Sequence, residues 1–295
     1  MQILRKTVIA MLILSMIPAT IFAGGAAESD QETVRLVYVN WEEGVAWTHL
    51  LAAILEDEMG YNVELTAADV GPAFASIISG DQDFYMEAWL PGLHAPYTDG
   101  QDIEVISQIY SDGVTGLIVP QYMYDDGVRS ISDLADPDVV DALGGQITGI
   151  DAGAGMMITT EEVLIPSYGL DEAGLELVPS SGPAMLAAMD AAIANEEYIV
   201  GMGWQPHSMF GRFPLVILEQ DGEVAFPIDD IFIMGRPGVS DDLPEVAAFF
   251  DNVYWTNDTI SPLMVYINES NLDTMDAARS WKSQNEDIWR GWIPN

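Results

Sequence analysis

Hydrophobic and polar positions along the chain follow a scheme that occurs twice. Val34 to Asn40 alternates as a β-strand does and stops at Trp41-Glu42-Glu43-Gly44. The helix predicted next puts Trp47, Leu50, Leu51, Ile54, Leu55 and Met59 on one face, with Gly60 as its stop. Tyr61 to Ala67 reads as a strand, Pro72 to Ser79 as a helix and Phe84 to Ala88 as a third strand. This β-α-β-α-β order implies a parallel sheet. The second copy has strands at Gln146 to Ile150, Leu175 to Val178 and Tyr198 to Met202, with helices from about Met157 and over Pro183 to Ala194.

The two copies share wording as well as pattern. Gly71-Pro72-Ala73 leads through a helical run to Trp89-Leu90-Pro91, and Gly182-Pro183-Ala184 leads the same way to Trp204-Gln205-Pro206. A proline two residues after each tryptophan forbids a further ladder bond, so each indole is expected in a loop just beyond its strand. In open α/β sheets that is where ligands sit.

Gly113 to Pro120 and Ile228 to Met234 are apolar extended runs between the halves, and they read as two antiparallel crossings that form a hinge. The chain then divides into a discontinuous first lobe, 28–115 plus 226–295, and a second lobe, 116–225. Leu243 to Trp292 reads as helical, with Ala247, Phe250 and Val253 on one apolar face and Trp281, Ile288 and Trp292 on another. Trp255, Trp281, Trp289 and Trp292 are expected to pack the first lobe.

Residues 1–26 have the three-part form of a secretory signal: Arg5 and Lys6, an apolar stretch from Thr7 to Phe22, then small residues over Ala23 to Ala27. About 16 apolar residues fall short of the roughly 20 that a spanning helix needs, so cleavage near Ala23 to Ala27 and a periplasmic location are expected. The chain has no cysteine, which leaves no disulfide and no thiol for a lipid anchor. A net charge of -38, from 47 acidic against 9 basic side chains, excludes nucleic acid as a partner and makes an anionic membrane surface repulsive. Such a surface suits high salt, where screening limits self-repulsion.

Trp41, Trp89 and Trp204 each stand at the end of a predicted strand, two in the first lobe and one in the second. Closing the cleft would bring their faces together. A cluster of indole faces is suited to a quaternary ammonium, since each desolvated cation-π contact is worth up to about 2 kcal/mol and the methylated nitrogen leaves no N–H unpaired. At the fourth strand end, Asp151-Ala152-Gly153-Ala154-Gly155-Met156-Met157 is a glycine-rich turn opening a helix, which makes it a candidate anion site. His94, five residues past Trp89, is close enough to offer an N–H to a ligand carboxylate. The spacing of His49, His94 and His207 matches no zinc motif, and no nucleophile elbow, HExxH or phosphate loop occurs.

Four segments in order, Tyr38 to Ala46, Ala88 to Pro91 with His94, Gly149 to Asp151 with Gly153 and Gly155, and Gly203 to His207, resemble those of substrate-binding proteins of ABC importers for glycine betaine and proline betaine. The resemblance runs from about Val34 to the C-terminus. It implies an α/β, type II periplasmic-binding-protein fold: two α/β lobes on a two-strand hinge with the ligand cleft between them. It further implies an aromatic prism of Trp41, Trp89 and Trp204 around the trimethylammonium group, and a carboxylate held by His94 with the backbone N–H groups of Gly155 and Met156. No cofactor, metal or catalysis is implied; the partners would be glycine betaine or a relative and a membrane permease, and the protein is expected to be a monomer. Ser208 stands where members often carry an aromatic, and Glu87 where a smaller or neutral residue is common. Choline or carnitine as ligand, and a periplasmic enzyme using the Gly153–Gly155 turn as an anion site, are the rival readings.

Overall fold

Among the described residues, nine strands with helices between them make up a seven-stranded sheet and a two-stranded one. The structure, a computed structural model, describes residues 31–294, so the expected signal at 1–26 lies outside the described residues. In the first copy β1 (Thr33–Tyr38), helix α1 (Glu42–Asp57), β2 (Asn62–Ala67), helix α2 (Val70–Ser79) and β3 (Phe84–Leu90) follow the expected order. β1 pairs in parallel with both β2 and β3. The long strand β4 (Glu104–Pro120) then leads into the second copy. That copy contains β5 (Gln146–Thr148), helix α3 (Gly155–Thr159), β6 (Glu176–Val178), helix α4 (Gly182–Asn195) and β7 (Gly201–Gln205). After β8 (Leu215–Ile217), the chain returns along β9 (Asp229–Gly235).

The repeat seen in sequence reappears in the topology. One copy has the order β2-β1-β3, continued by the antiparallel β9. In the other, β5 pairs in parallel with β6, the Thr148 N–H donates to the Val200 carbonyl just ahead of β7, and β7 is continued by the antiparallel β4. β4 joins the two, because its first part pairs with β9 and its last part, from Val114, with β7 and β8.

Two sequence expectations change. β4 begins at Glu104, well ahead of Gly113, because its first half alternates at the surface; Val105 is 60% exposed, so no continuous apolar run announces it. Trp89 and Trp204 also belong to their strands instead of following them, since Trp89 pairs with Ile231 and Trp204 with Thr115. Proline ends each strand one residue later, after Leu90 and Gln205. Both X-Pro bonds, Leu90-Pro91 and Gln205-Pro206, are cis.

Burial explains why α1 is apolar nearly all round. The helix is buried from Ala46 to Leu55, packing on the strands of the first copy on one side and on α6 (Asn257–Glu269) and α7 (Thr274–Gln284) on the other; α5 (Pro244–Asp251) precedes them. The C-terminal region is thus a series of short helices. Trp255, Trp281, Trp289 and Trp292 are all buried there, and Trp255 meets Trp292 edge to face at 4.9 Å.

At the head of β3, Asp83 is 1% exposed and ties three segments together. It accepts from the Arg35 backbone N–H at 2.8 Å, from the Arg35 guanidinium at 2.8 and 3.0 Å, and from Arg236 Nε at 2.8 Å. Burial alone would raise its pKa, but the two guanidinium groups outweigh it and hold the carboxyl below its ordinary value. Its stabilising contribution is present above the unfolded carboxyl's titration and is lost as pH falls through the lowered folded value. Asp83→Asn leaves two guanidinium groups partly unpaired and is expected to cost about 3 kcal/mol in urea unfolding near neutral pH, with a smaller difference from wild type in acid.

Candidate functional site

The ends of β1, β3 and β7 converge on one small cavity. Trp41 is the residue before α1, Trp89 comes from the end of β3 and Trp204 from the end of β7, and all three indoles line the cavity together with His94, Gly155 and Met156. All six expected site residues are therefore brought together. The ring centres of Trp41 and Trp204 lie 6.1 Å apart at 53°. The cavity holds about 20 Å³, so a bulky ligand enters only when the walls part.

Two of the three indoles are held at their rims by a carboxyl group. Trp41 Nε1–H donates to Asp151 Oδ2 at 3.1 Å, and Trp204 Nε1–H donates to Glu43 Oε1 at 2.6 Å. The Trp89 N–H approaches Glu87 on the same strand without reaching hydrogen-bond geometry. With their edges engaged, the Trp41 and Trp204 rings present faces, where the negative part of the quadrupole lies.

His94 has a fixed tautomer. The Trp89 backbone N–H donates to its Nδ1 at 3.0 Å, so the ring proton sits on Nε2, and no protein group among the described residues accepts it. The imidazole stacks on Trp41, with centres 6.2 Å apart at 27°, and Phe74 meets it edge-on at 5.5 Å. Burial pushes its pKa down to about 3, so it is a neutral donor near neutral pH.

Lining the same cavity as His94, Gly155 and Met156 begin α3. Ala154, the residue before the helix, gives no side-chain cap, and N–H groups in a first turn have no partner within their helix. A side chain at position 155 would overlap the Leu93 carbonyl, so glycine is what lets this turn approach the loop after β3.

Further polar contacts connect the two copies around the cavity. Ser208 donates to Glu42 through its N–H at 2.8 Å and its hydroxyl at 2.6 Å, and His207 Nδ1 lies 2.9 Å from Glu42 Oε2. Burial alone would raise Glu42, yet the neighbouring His207 and the hydrogen bonds from Ser208 hold it below its ordinary value. The Tyr97 hydroxyl donates to the Gly153 carbonyl at 2.8 Å. His207 thus joins these contacts between the copies and does not line the cavity, and Ser208, unusual by comparison with the resembled family, has a specific partner. His49 is buried in α1 against Tyr38, away from the cavity.

Sequence reasoning did not assign Glu42, Glu43, Asp151 or Thr115 to the site. Acidic residues in the first turn of a helix already have a sufficient reason in the helix dipole, so Glu42 and Glu43 carried no distinct signal. Thr115 reaches the cavity because β4 passes directly beside Trp204. Alternation along β4 was the one available clue.

Two lobes of this construction, with a site at facing strand ends, define a type II periplasmic binding protein. Residues 32–284 match the family described as the substrate binding domain of ABC-type glycine betaine transport systems, and the chain belongs to that family. The glycine betaine/carnitine transport binding protein of Listeria monocytogenes is 34% identical over 158 residues, covering 54% of this chain and 52% of that protein, so the match spans about half the length of this curated relative. The glycine betaine/L-proline-binding protein of Borrelia burgdorferi superposes with a TM-score of 0.82 at 30% identity, over 90% of this chain and 97% of that one. Lactococcal OpuAC, in a closed conformation complexed with glycine betaine, gives 0.80 at 30% identity over 90% and 100% of the two chains.

The His94 geometry has a direct spectroscopic consequence. Nitrogen chemical shifts are expected to show a neutral Nε2–H tautomer that does not protonate as pH is lowered from about 7 to about 4. Because the folded value lies below the unfolded one, this residue's contribution to stability is full above about pH 6.5 and declines as pH falls toward 3.

Proposed function

We propose that this protein captures glycine betaine, or a closely related quaternary ammonium zwitterion, outside the cytoplasm and delivers it to the membrane permease of an ABC importer. The observation that carries the reading is the convergence of Trp41, Trp89 and Trp204 on one cavity that also exposes a neutral histidine donor. The three indole faces receive the trimethylammonium head; the His94 Nε2–H and the Gly155 and Met156 N–H groups receive the carboxylate. Three cation-π contacts contribute on the order of 6 kcal/mol, and the carboxylate donors add more, which after the cost of association suits roughly micromolar binding.

The lobes are 28–115 with 226–295, and 116–225; the change of partner along β4 after Gly113 supports this division. They part to admit ligand and close on it, with Glu42–Ser208 and Glu43–Trp204 as bonds of the closed arrangement. The protein performs no chemistry on its ligand, acts as a monomer and is exported by its N-terminal segment. No helix among the described residues is long and apolar enough to cross a membrane.

Calorimetry of the purified protein with glycine betaine, choline, carnitine, proline betaine and glycine tests this reading. Trp89→Ala is expected to weaken glycine betaine binding about thirtyfold, the equivalent of about 2 kcal/mol. His94→Ala is expected to weaken glycine betaine by about tenfold and choline, which lacks a carboxylate, very little. Failure of every methylated ammonium to bind wild type would remove the proposal; choline binding in preference to the zwitterions would move the assignment to a choline receptor.

A further inference from the structure

Directly behind the cage, two carboxyl groups meet where water does not reach. Glu43, in the first turn of α1, and Glu87, on β3, are each 0% exposed. Glu43 Oε1 accepts the Trp204 indole N–H from the other lobe, but Glu43 Oε2 and both oxygens of Glu87 find no N–H or hydroxyl donor in hydrogen-bond geometry among the described residues. These oxygens turn to one dry space beside Gly44, the residue after Glu43. Gly44 makes room for it, since a Cβ there would overlap Glu87 Oε2.

Two carboxylates cannot both stay charged in one dry space without a counter-ion, whereas a carboxylic acid supplies the donor that the other carboxylate lacks. We propose that Glu43 and Glu87 hold a single proton between them, and that Glu87 is thereby a positioning residue: as the acid it donates to Glu43 and fixes the oxygen that holds the Trp204 ring in the closed cage. The inference rests on the ligand reading above. Burial raises both groups, and the negative neighbour raises Glu87 further, well above the ordinary carboxyl value.

The surrounding charges do not remove the need for that proton. Glu42, from α1, is held anionic by His207 and Ser208 and adds negative potential. His207, beyond β7, faces Glu43 from the second lobe but has its Nδ1 against Glu42. Tyr85, on β3, is buried and raised well above its ordinary value, so its hydroxyl stays neutral. When the lobes part, Trp204 leaves Glu43 and water replaces it. The proton is then held more firmly in the closed state than in the open one. Closing is therefore favoured at low pH and disfavoured as pH rises through the closed pair's titration.

The test has two arms. Infrared difference spectra of the ligand-free wild type at about pH 7 are expected to show the carbonyl stretch of a buried protonated carboxyl that Glu87→Gln abolishes, because the amide donates to Glu43 without a titratable proton. Calorimetry from about pH 6 to about pH 9 is expected to show wild-type affinity for glycine betaine falling at least threefold. Glu87→Gln, which keeps His207 and Glu42, should bind within about threefold of wild type at pH 6 and lose that pH dependence, while Glu87→Leu binds at least about tenfold more weakly throughout. A wild type without the carbonyl band, or a Glu87→Gln variant with the wild-type pH slope, would overturn the shared proton. If no quaternary ammonium binds wild type, the ligand reading fails, and the infrared arm alone still decides the pair.

Discussion

The constraint on which the site depends is that an indole has one polar atom, and a partner for it at the ring edge fixes the ring while leaving its face open. Trp41 and Trp204 meet this by donating across the cavity to a carboxylate of the opposite copy, Asp151 and Glu43 respectively. The exchange is reciprocal. Each copy holds a ring belonging to the other, so the cage is whole only when the two copies are in contact. A purely apolar seam would attract the two halves at any rotation, whereas a hydrogen bond of 2.6 Å from an indole edge specifies distance and angle.

The remaining contacts across the seam have the same character. Ser208 to Glu42 and Tyr97 to Gly153 are short polar bonds, and Gly155 has no side chain to hold Leu93 away. Polar contacts exchange for water at small net cost, each worth on the order of 1 kcal/mol in a folded protein. A seam built from a few of them can open and close without the large hydrophobic penalty that separating two cores would bring. The large apolar residues are instead kept inside each lobe, as the burial of α1 between sheet and helices shows.

Much of this was legible in the chain. The repeated Gly-Pro-Ala and Trp-x-Pro segments gave the duplication, and the periodicity of Trp47 through Leu55 gave α1 within a few residues of its limits. The three cage indoles were separable from Trp255, Trp281, Trp289 and Trp292 because the latter fall in helical runs. What could not be read was anything set by the approach of distant segments. The first half of β4 alternates with exposed side chains and includes Asp112 at a φ of 55°, so it lacks the signature of a buried strand. Trp89 and Trp204 remain within strands because their antiparallel neighbours β9 and β4 continue past them, and no local pattern reveals a partner strand. Glu43 is, in sequence, one acidic residue among 47, while Glu87 and Asp151 stood out only as a departure from the resembled family and as the start of the glycine-rich turn.

That acidity bears on which neutral or charged groups are left to recognise a ligand's anionic end. Of the basic residues described, Arg35 and Arg236 are engaged by Asp83, Lys282 by Asp57 and Glu58, Arg279 by Glu56, and Arg290 by Glu58 and Glu286. Arg129 lies over Tyr124 and Arg212 over Phe213, and no lysine or arginine among the described residues lines the cage cavity. A carboxylate entering it, on the proposed reading, must be met by uncharged donors: an imidazole kept neutral by burial and backbone N–H groups at the start of α3. Neutral donors would not overcome the field of so acidic a protein for a free anion. They suffice for a molecule whose own ammonium group cancels its charge, because the long-range repulsion then vanishes and only the local geometry has to be favourable.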